Sequence, residues 1–396
     1  MANKQKLRVL LITDCHYKLG GAEKCFFQLR EQLKKAGLEV FSMGFGPVDE
    51  HGQDYLVLKE TNNLLIRHFW RIFFNPFKYR QIRKYILEVN PDVIHLHNVN
   101  KYTVALLDAM SGFKVVQTVH DYGLVCPTQW NVHSDLSPCP TGMKLSCMAK
   151  HRRGYNWLVY LSMVLFFYIR NSLLKKRVSL FITPAPQLKH YLDKNHFRRV
   201  ICIPNFVEMG DVKPAFDKMK QNQVLYIGQL EENKGVHFLI KAMKQVVEEI
   251  PSANLKIAGK GPWEKKLKYL AKELRLGSSV EFLGWIDNVN KVYEESALVV
   301  VPSVWMENAP VTVQEAMLHA RAVLGSNRGG IRWFVQPGKT GKLFDITKNE
   351  LAEKIIQMLQ DPEKLGRYGL AGRQRIRVIG DKDRNISKII ESYKKI

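Results

Sequence analysis

Two glutamates eight residues apart, Glu307 and Glu315, sit on either side of Asn308-Ala309-Pro310-Val311. Proline suits the first turn of a helix, so Pro310 marks a helix start. Glu307 then lies on the loop before that helix and Glu315 on the helix itself. Carboxylates are good acceptors for hydroxyl groups, and two at different heights can grip one polyhydroxy ligand at different points. Asn308, Ala309, Pro310 and Val311 form the helix start, where backbone N–H groups can hold phosphate or hydroxyl oxygens. Two solvated glutamates are the competing explanation, and the apolar, proline-containing context weighs against it.

Three further clusters could join such a site. In Tyr226-Ile227-Gly228-Gln229-Leu230-Glu231-Glu232-Asn233-Lys234-Gly235, a tight turn after an apolar run presents Lys234 just before a helix. A lysine there suits a diphosphate, as a mobile point charge. Gly20-Gly21 follows the first apolar run and opens a helix, so a ligand can approach the backbone closely there and its phosphate can meet the helix start. Thr118-Val119-His120-Asp121-Tyr122 puts a histidine and an aspartate at the end of another short apolar run. Each has an ordinary structural reading: a strand–helix turn, a solvated lysine, a hydrogen-bonded strand-end histidine.

The elements that must position these residues alternate between strand and helix. Leu7–Thr13, Val40–Phe45, Val93–Leu96, Lys114–Thr118, Leu180–Thr183 and Val200–Ile203 read as strands with helical patterns between them. The pattern restarts after Pro204-Asn205 with Val224–Ile227, Leu255–Ala258, Val280–Leu283, Leu298–Val301 and Val323–Gly325. This alternation is the signature of βαβ units and parallel sheets. It predicts an α/β protein of two Rossmann-like domains facing across a cleft: residues 1–205, a linker 206–222, a second domain 223–378, and a last helix 379–396. Ligands in such sheets bind beyond the carboxyl ends of the strands.

The 396 residues carry a formal charge of +23, with 46% hydrophobic residues, the balance of a folded globular protein. The excess is uneven, +15 in residues 1–200 and +8 in the remainder. Two stretches hold no acid. One, between Glu60 and Glu88, interleaves six basic residues with Leu64, Leu65, Ile66, Phe69, Trp70, Ile72, Phe73 and Phe74. The other, between Asp135 and Asp193, has the apolar run Trp157–Ile169 flanked by Arg152, Arg153 and Lys175–Arg177. That run reads as too short, and too closely followed by Arg170, for a membrane span. These stretches fit a domain lying on an anionic membrane surface, against the plainer reading of two solvated helices. The apolar N-terminal run is too short for a signal peptide, and six scattered cysteines fit a reducing compartment. A cytoplasmic protein, peripheral on the inner face of the membrane, is expected.

Taken together the motifs resemble a family 4 glycosyltransferase of the GT-B fold, over most of both domains. The carrying residues are Gly-Gly-Ala-Glu at 20–23, His-Asp-Tyr at 120–122, Ile-Pro-Asn at 203–205, Lys234-Gly235, Ala258-Gly259-Lys260-Gly261-Pro262, Phe282-Leu283-Gly284-Trp285, Val301-Pro302-Ser303, Glu307 to Glu315, and Gly329-Gly330. The resemblance implies a retaining hexosyltransferase moving a sugar from a nucleotide-diphosphate donor to a glycan or lipid-linked acceptor. It implies no cofactor and no metal, and a last helix returning to the N-terminal domain. In this resemblance the Gly20-Gly21 loop approaches the diphosphate and His120 contacts the donor sugar. Lys234 neutralises the leaving diphosphate, Glu307 holds the sugar, Glu315 holds the ribose, and the loops at Gly261 and Trp285 flank the base.

Three positions depart from the family's usual pattern. Gln229 stands where an arginine is common, so one charge partner is missing unless a neighbour such as Arg328 replaces it. Arg332-Trp333 follows Gly329-Gly330-Ile331 in place of Pro-Glu, and Ala320-Arg321-Ala322 replaces a Gly-x-Pro. Cys126, Cys139 and Cys147 match no standard zinc spacing and read as free thiols. A nucleotide-sugar isomerase on the same fold is an alternative. A nucleic-acid-binding protein is a weaker one, since it leaves the two glutamates unexplained and no binding module is recognisable; no nucleic acid is expected as a partner.

Overall fold

The computed structural model describes residues 6–16, 20–140, 157–207 and 212–396. The chain forms two compact units. The first comprises Met1–Gln129, Thr141–Asn205 and Asp383–Ile396, and the second Trp130–Pro140 and Phe206–Lys382.

The first unit is built on an eight-stranded sheet. Its strands are β1 (Arg8–Ile12), β2 (Glu39–Gly46), β3 (Glu50–Gly52), β4 (Tyr55–Lys59), β5 (Val93–Leu96), β6 (Val115–Thr118), β7 (Leu180–Thr183) and β8 (Val200–Cys202), in the order β3-β4-β2-β1-β5-β6-β7-β8. All neighbours are parallel except β3 with β4. Val9, Leu10, Leu11 and Ile12 are fully buried because a central parallel strand is covered on both faces, which is why β1 reads as an unbroken apolar run. β3 and β4 are additions to the expected pattern. A three-residue edge strand has too few positions for any periodicity to show.

The second unit has a six-stranded parallel sheet: β9 (Lys220–Ile227), β10 (Asn254–Ala258), β11 (Val280–Gly284), β12 (Ser296–Val301), β13 (Ala322–Ser326) and β14 (Gly341–Phe344). The order is β11-β10-β9-β12-β13-β14. β9 begins at Lys220, so it takes up the last residues of the expected linker. Polar residues can extend this strand because Gln223 is buried and bonds Ser296 Oγ on β12 at 3.2 Å.

Two helical features differ from the expected pattern. The helix at Trp157 continues through Arg170 to Arg177, 21 residues, and is long and apolar enough by length and composition to cross a membrane. Two of its polar residues, Arg170 and Asn171, point inward. Arg170 bonds the carbonyl of Gly123 and Asn100 Oδ1, and Asn171 bonds the carbonyl of Leu124. These bonds make the helix a packed element of the first unit. The last helix, Lys382–Lys394, groups with the first unit although it follows the whole second unit in sequence. It buries Ile386, Ile389 and Tyr393 there.

In both sheets the chain reverses its direction of growth between two adjacent strands, β1 and β5 in the first and β9 and β12 in the second. Loops leaving such a pair diverge and open a crevice at the carboxyl ends, where α/β sheets bind ligands.

Candidate active site

In the second unit, the loops after β9 and β12 flank the reversal point. The β9 loop ends in a 3-10 turn, Glu232–Lys234, and Gly235 then turns into the helix Val236–Glu249. Gly235 has φ +69, and a Cβ there would overlap the carbonyl oxygen of Pro302. A glycine is therefore what lets the two loops touch. The carbonyl of Asn233 accepts from the backbone N–H of Val304 at 2.8 Å and completes the seam.

The seam brings Lys234 and Glu307 together. Lys234 Nζ donates to Glu307 Oε1 at 2.9 Å, and Ser303 Oγ donates to the same oxygen at 2.7 Å. The Lys234 ammonium also lies 4.5 Å from the centroid of the Trp305 ring. Glu307 is only 8% exposed. Burial alone would raise its pKa, but the Lys234 charge and the bonds from Lys234 and Ser303 outweigh it and hold the carboxyl below the usual range. From behind, Gly329 at φ +47 packs where a Cβ would strike the Glu307 carbonyl, and Gly330 N–H donates to that carbonyl at 2.7 Å.

Asn308 and Ala309 lead to Pro310, which caps the helix Val311–Leu318, one residue before the expected first turn. Thr312 Oγ1 bonds the carbonyl of Ile227 and ties this helix to the end of β9 at 3.1 Å. Glu315 stands in the second turn, its Oε2 receiving the buried Tyr293 hydroxyl at 3.0 Å. The remaining loops follow in series along the sheet. Gly228 N–H bonds Ala258 O, and Gly259 N–H bonds Gly284 O. Gln229 is exposed, its carbonyl accepting from Tyr226 at 2.8 Å. Gly261 packs on the Leu230 backbone, and Trp285 is 61% exposed with its indole N–H on Asp287. Arg328, the neighbour considered as a replacement for the missing arginine, is buried, and its Nη2 donates to the carbonyl of Leu136 at 2.6 Å.

In the first unit, Gly20 is the N-cap of the helix Gly21–Lys35 and leaves the cap without a side-chain bond. The buried Asp14, after β1, accepts from the backbone N–H groups of Asn100 and Lys101 at 2.7–2.9 Å and joins the loops at the β1–β5 reversal. His120, just after β6, bonds His97 with Nε2 2.8 Å from Nδ1. Asp121 accepts from Gly123 N–H at 2.6 Å, so it caps a turn. A small cavity beside them is lined by His97, Asn98, Asn100, Gln117, His120 and Arg170.

Sequence reasoning passed over Trp305, Tyr293, Asp14 and His97 as working parts of these sites. Only His97 left a usable signal: His95 and His97 alternate at the end of a strand, which puts both on one face.

Among the described residues no three His, Cys, Asp or Glu side chains gather as a metal site. Cys126 lies against Thr128 and Cys139 is buried; Cys147 lies outside the described residues, as do Arg152 and Arg153. The two acid-free stretches present apolar residues to solvent. On one, Phe69 and Phe73 stack at 4.4 Å while about half exposed, and Phe77 is 74% exposed. On the other, Leu158, Leu161 and Leu165 are exposed along the helix from Trp157.

The sequence profile "Glycosyltransferase Family 4" matches residues 19–210, and "Glycosyl transferases group 1" matches 211–375. Together they run from the first helix to the last but one, and the chain belongs to the family 4 glycosyltransferases, with the GT-B fold. It is 30% identical to an uncharacterized glycosyltransferase of Haemophilus influenzae over 186 residues, 46% of this chain and 51% of that protein. The chain thus spans about half the length of that relative. It is 23% identical to the phosphatidyl-myo-inositol mannosyltransferase of Mycolicibacterium smegmatis over 371 residues, 90% of this chain and 86% of that one. Its fold is similar to sucrose-phosphate synthase of Thermosynechococcus elongatus, with TM-score 0.77, 21% identity and 98% of each chain covered. It is also similar to Anabaena HepE in complex with UDP and glucose, with TM-score 0.74, 17% identity, 98% of this chain and all of that one.

Proposed function

We propose that the chain is a retaining hexosyltransferase that moves a sugar from a nucleotide-diphosphate donor to a glycan or lipid-linked acceptor, in the assembly of a surface polysaccharide or glycolipid. The observation that carries this reading is the buried Lys234–Glu307 pair at the β9–β12 reversal, set beside the start of the helix Val311–Leu318. A nucleotide-sugar needs all three features: a cation for its diphosphate, carboxylates for its hydroxyls, and N–H groups for its phosphate oxygens. The complex of HepE with UDP and glucose supports a UDP-linked donor. The mannosyltransferase named for phosphatidyl-myo-inositol supports a lipid-linked acceptor.

Transfer breaks the bond between the anomeric carbon and the diphosphate oxygen and forms one to an acceptor hydroxyl. Negative charge grows on the diphosphate, and Lys234 with the helix start stabilises it without a metal. Glu307 and Glu315 hold sugar and ribose hydroxyls, and His120 contacts the donor sugar. Retention follows from a same-face route in which the leaving phosphate takes the acceptor's proton. The two acid-free helices support a position on the inner face of the membrane, within reach of a lipid-linked acceptor.

Calorimetry of the purified chain with UDP-glucose, UDP-N-acetylglucosamine, GDP-mannose and other nucleotide-sugars, in the presence of a chelator, tests the donor site. Saturable binding of one donor class is expected, weakened tenfold or more in Glu307→Gln, on the order of one lost charged hydrogen bond. No binding by any donor would overturn the reading. Turnover of the donor without acceptor, yielding a rearranged nucleotide-sugar, would point to an isomerase.

A further inference from the structure

Among the described residues the side chain of His97 makes one hydrogen bond, and its partner is His120. The two sit at the carboxyl ends of neighbouring strands β5 and β6, rings nearly parallel at 21° and 5.1 Å apart, with Nδ1 of His97 2.8 Å from Nε2 of His120. His97 is held from its other sides. Phe26 meets its ring edge-on at 5.1 Å, and the ring of His95 lies 4.8 Å away. His95 is itself pinned by two bonds, from Nε2 to Thr118 Oγ1 at 2.8 Å and from Nδ1 to the Tyr393 hydroxyl at 2.7 Å.

His97 is 3% exposed, and its Nε2 has no partner among the described residues. Leaving a buried imidazole nitrogen unbonded is costly, so a residue serving only to fill space here would be apolar. Two neutral imidazoles can share a hydrogen bond only if one nitrogen carries the proton and the other does not. Once His97 is clamped, that bond fixes the orientation of the His120 ring and couples the two tautomers. A bare lone pair on buried Nε2 costs less than a bare N–H, so His97 carries its proton on Nδ1 and donates it to His120 Nε2, which leaves the His120 proton on Nδ1. We propose that His97 is a positioning residue that presents His120 to the donor sugar in a single orientation and tautomer. The proposal rests on the reading of His120 as a donor-sugar contact.

Two measurements on the full chain test it. The first is NMR of 15N-labelled histidine side chains, with His120 assigned by substitution. Wild type is expected to show one His120 tautomer, His97→Ala an exchanging mixture, and His97→Asn the single tautomer again, since its amide can occupy the place of Nδ1. The second is a double-mutant cycle on transfer rate with UDP-glucose, or whichever nucleotide-sugar of the panel binds. His97→Ala should slow transfer about 10- to 100-fold, the usual effect of a displaced contact, with most of it restored in His97→Asn. In a His120→Ala background, His97→Ala should add less than about twofold, because the two act as one unit. An unchanged His120 tautomer in His97→Ala overturns the proposal, and so do losses that multiply in the double variant. Wild-type transfer by His120→Ala would instead overturn the functional reading of His120, which the NMR arm does not depend on.

Discussion

Lys234 and Glu307 depend on each other before any ligand arrives. Their side chains are 19% and 10% exposed, so removing either leaves the other charge with little water to stabilise it. Lys234→Ala should therefore cost about 3–5 kcal/mol of stability. It should also lower transfer about 10²- to 10³-fold, in line with the loss of one transition-state charge partner. Thermal melting together with initial rates checks this, and a variant that melts like wild type would mean the pair is solvated. The histidines give a pH dependence. Burial pushes His95 down to about 3 and His120 down to about 4, and it lowers His97 as well. Below about pH 6.5 the unfolded chain takes up protons at these positions while the folded chain does not. Stability should thus fall on acidification from 6.5 toward 4, by up to about 1.4 kcal/mol per pH unit for each histidine. His97→Asn should show a shallower slope in melts taken across that range. Glu307 and Lys234 were legible in the sequence because their neighbours constrain the loop around them. His97 was legible only as a strand-end histidine alternating with His95, since nothing near it in sequence names His120 as its partner.

Loops, rather than strands, carry the chemistry, and two glycines set where the loops lie. Gly235 and Gly329 both have positive φ, and each faces a carbonyl oxygen that a Cβ would overlap, Pro302 and Glu307 respectively. Gly235→Ala and Gly329→Ala should each destabilise the second unit by more than about 1 kcal/mol and weaken donor binding, although neither removes a side chain. Gly366, in the helix Pro362–Ile379, has open space where its Cβ would stand. Gly366→Ala should leave binding unchanged and raise stability by about 0.4–1 kcal/mol. Melting curves and calorimetry on the three variants separate loop placement from general damage, and equal effects in all three would refute it. The buried strands β1, β7 and β12 could be read from sequence because parallel strands covered on both faces are near-continuous apolar runs. β3 and β14 could not, being short strands recruited by an existing sheet edge.

At the scale of the whole molecule, the charge of +23 and the exposed aromatic residues make one argument. Basic residues near an anionic surface contribute about 1 kcal/mol each, and the exposed Phe69, Phe73 and Phe77 can add apolar burial. The chain should co-sediment with vesicles rich in phosphatidylglycerol at low salt, be released as salt rises, and ignore pure phosphatidylcholine. Phe69→Ser with Phe73→Ser should weaken that binding about tenfold or more, the loss of one or two kcal/mol of burial. Indifference to lipid charge would reduce these stretches to solvated surface.

The sequence by itself determined the class of fold and the family, because alternating apolar runs and short loop motifs are local and each carries its own physical constraint. It also singled out Glu307, Glu315 and Lys234 as candidates, through motifs that sit at strand ends. The tertiary structure decided what bonds to what. Lys234 and Glu307 are 73 residues apart and meet because β9 and β12 are neighbours, and Tyr393 lies 298 residues from His95 and meets it because the last helix packs on the first sheet. Contacts at such separations are set by strand order and helix docking, which no local pattern encodes.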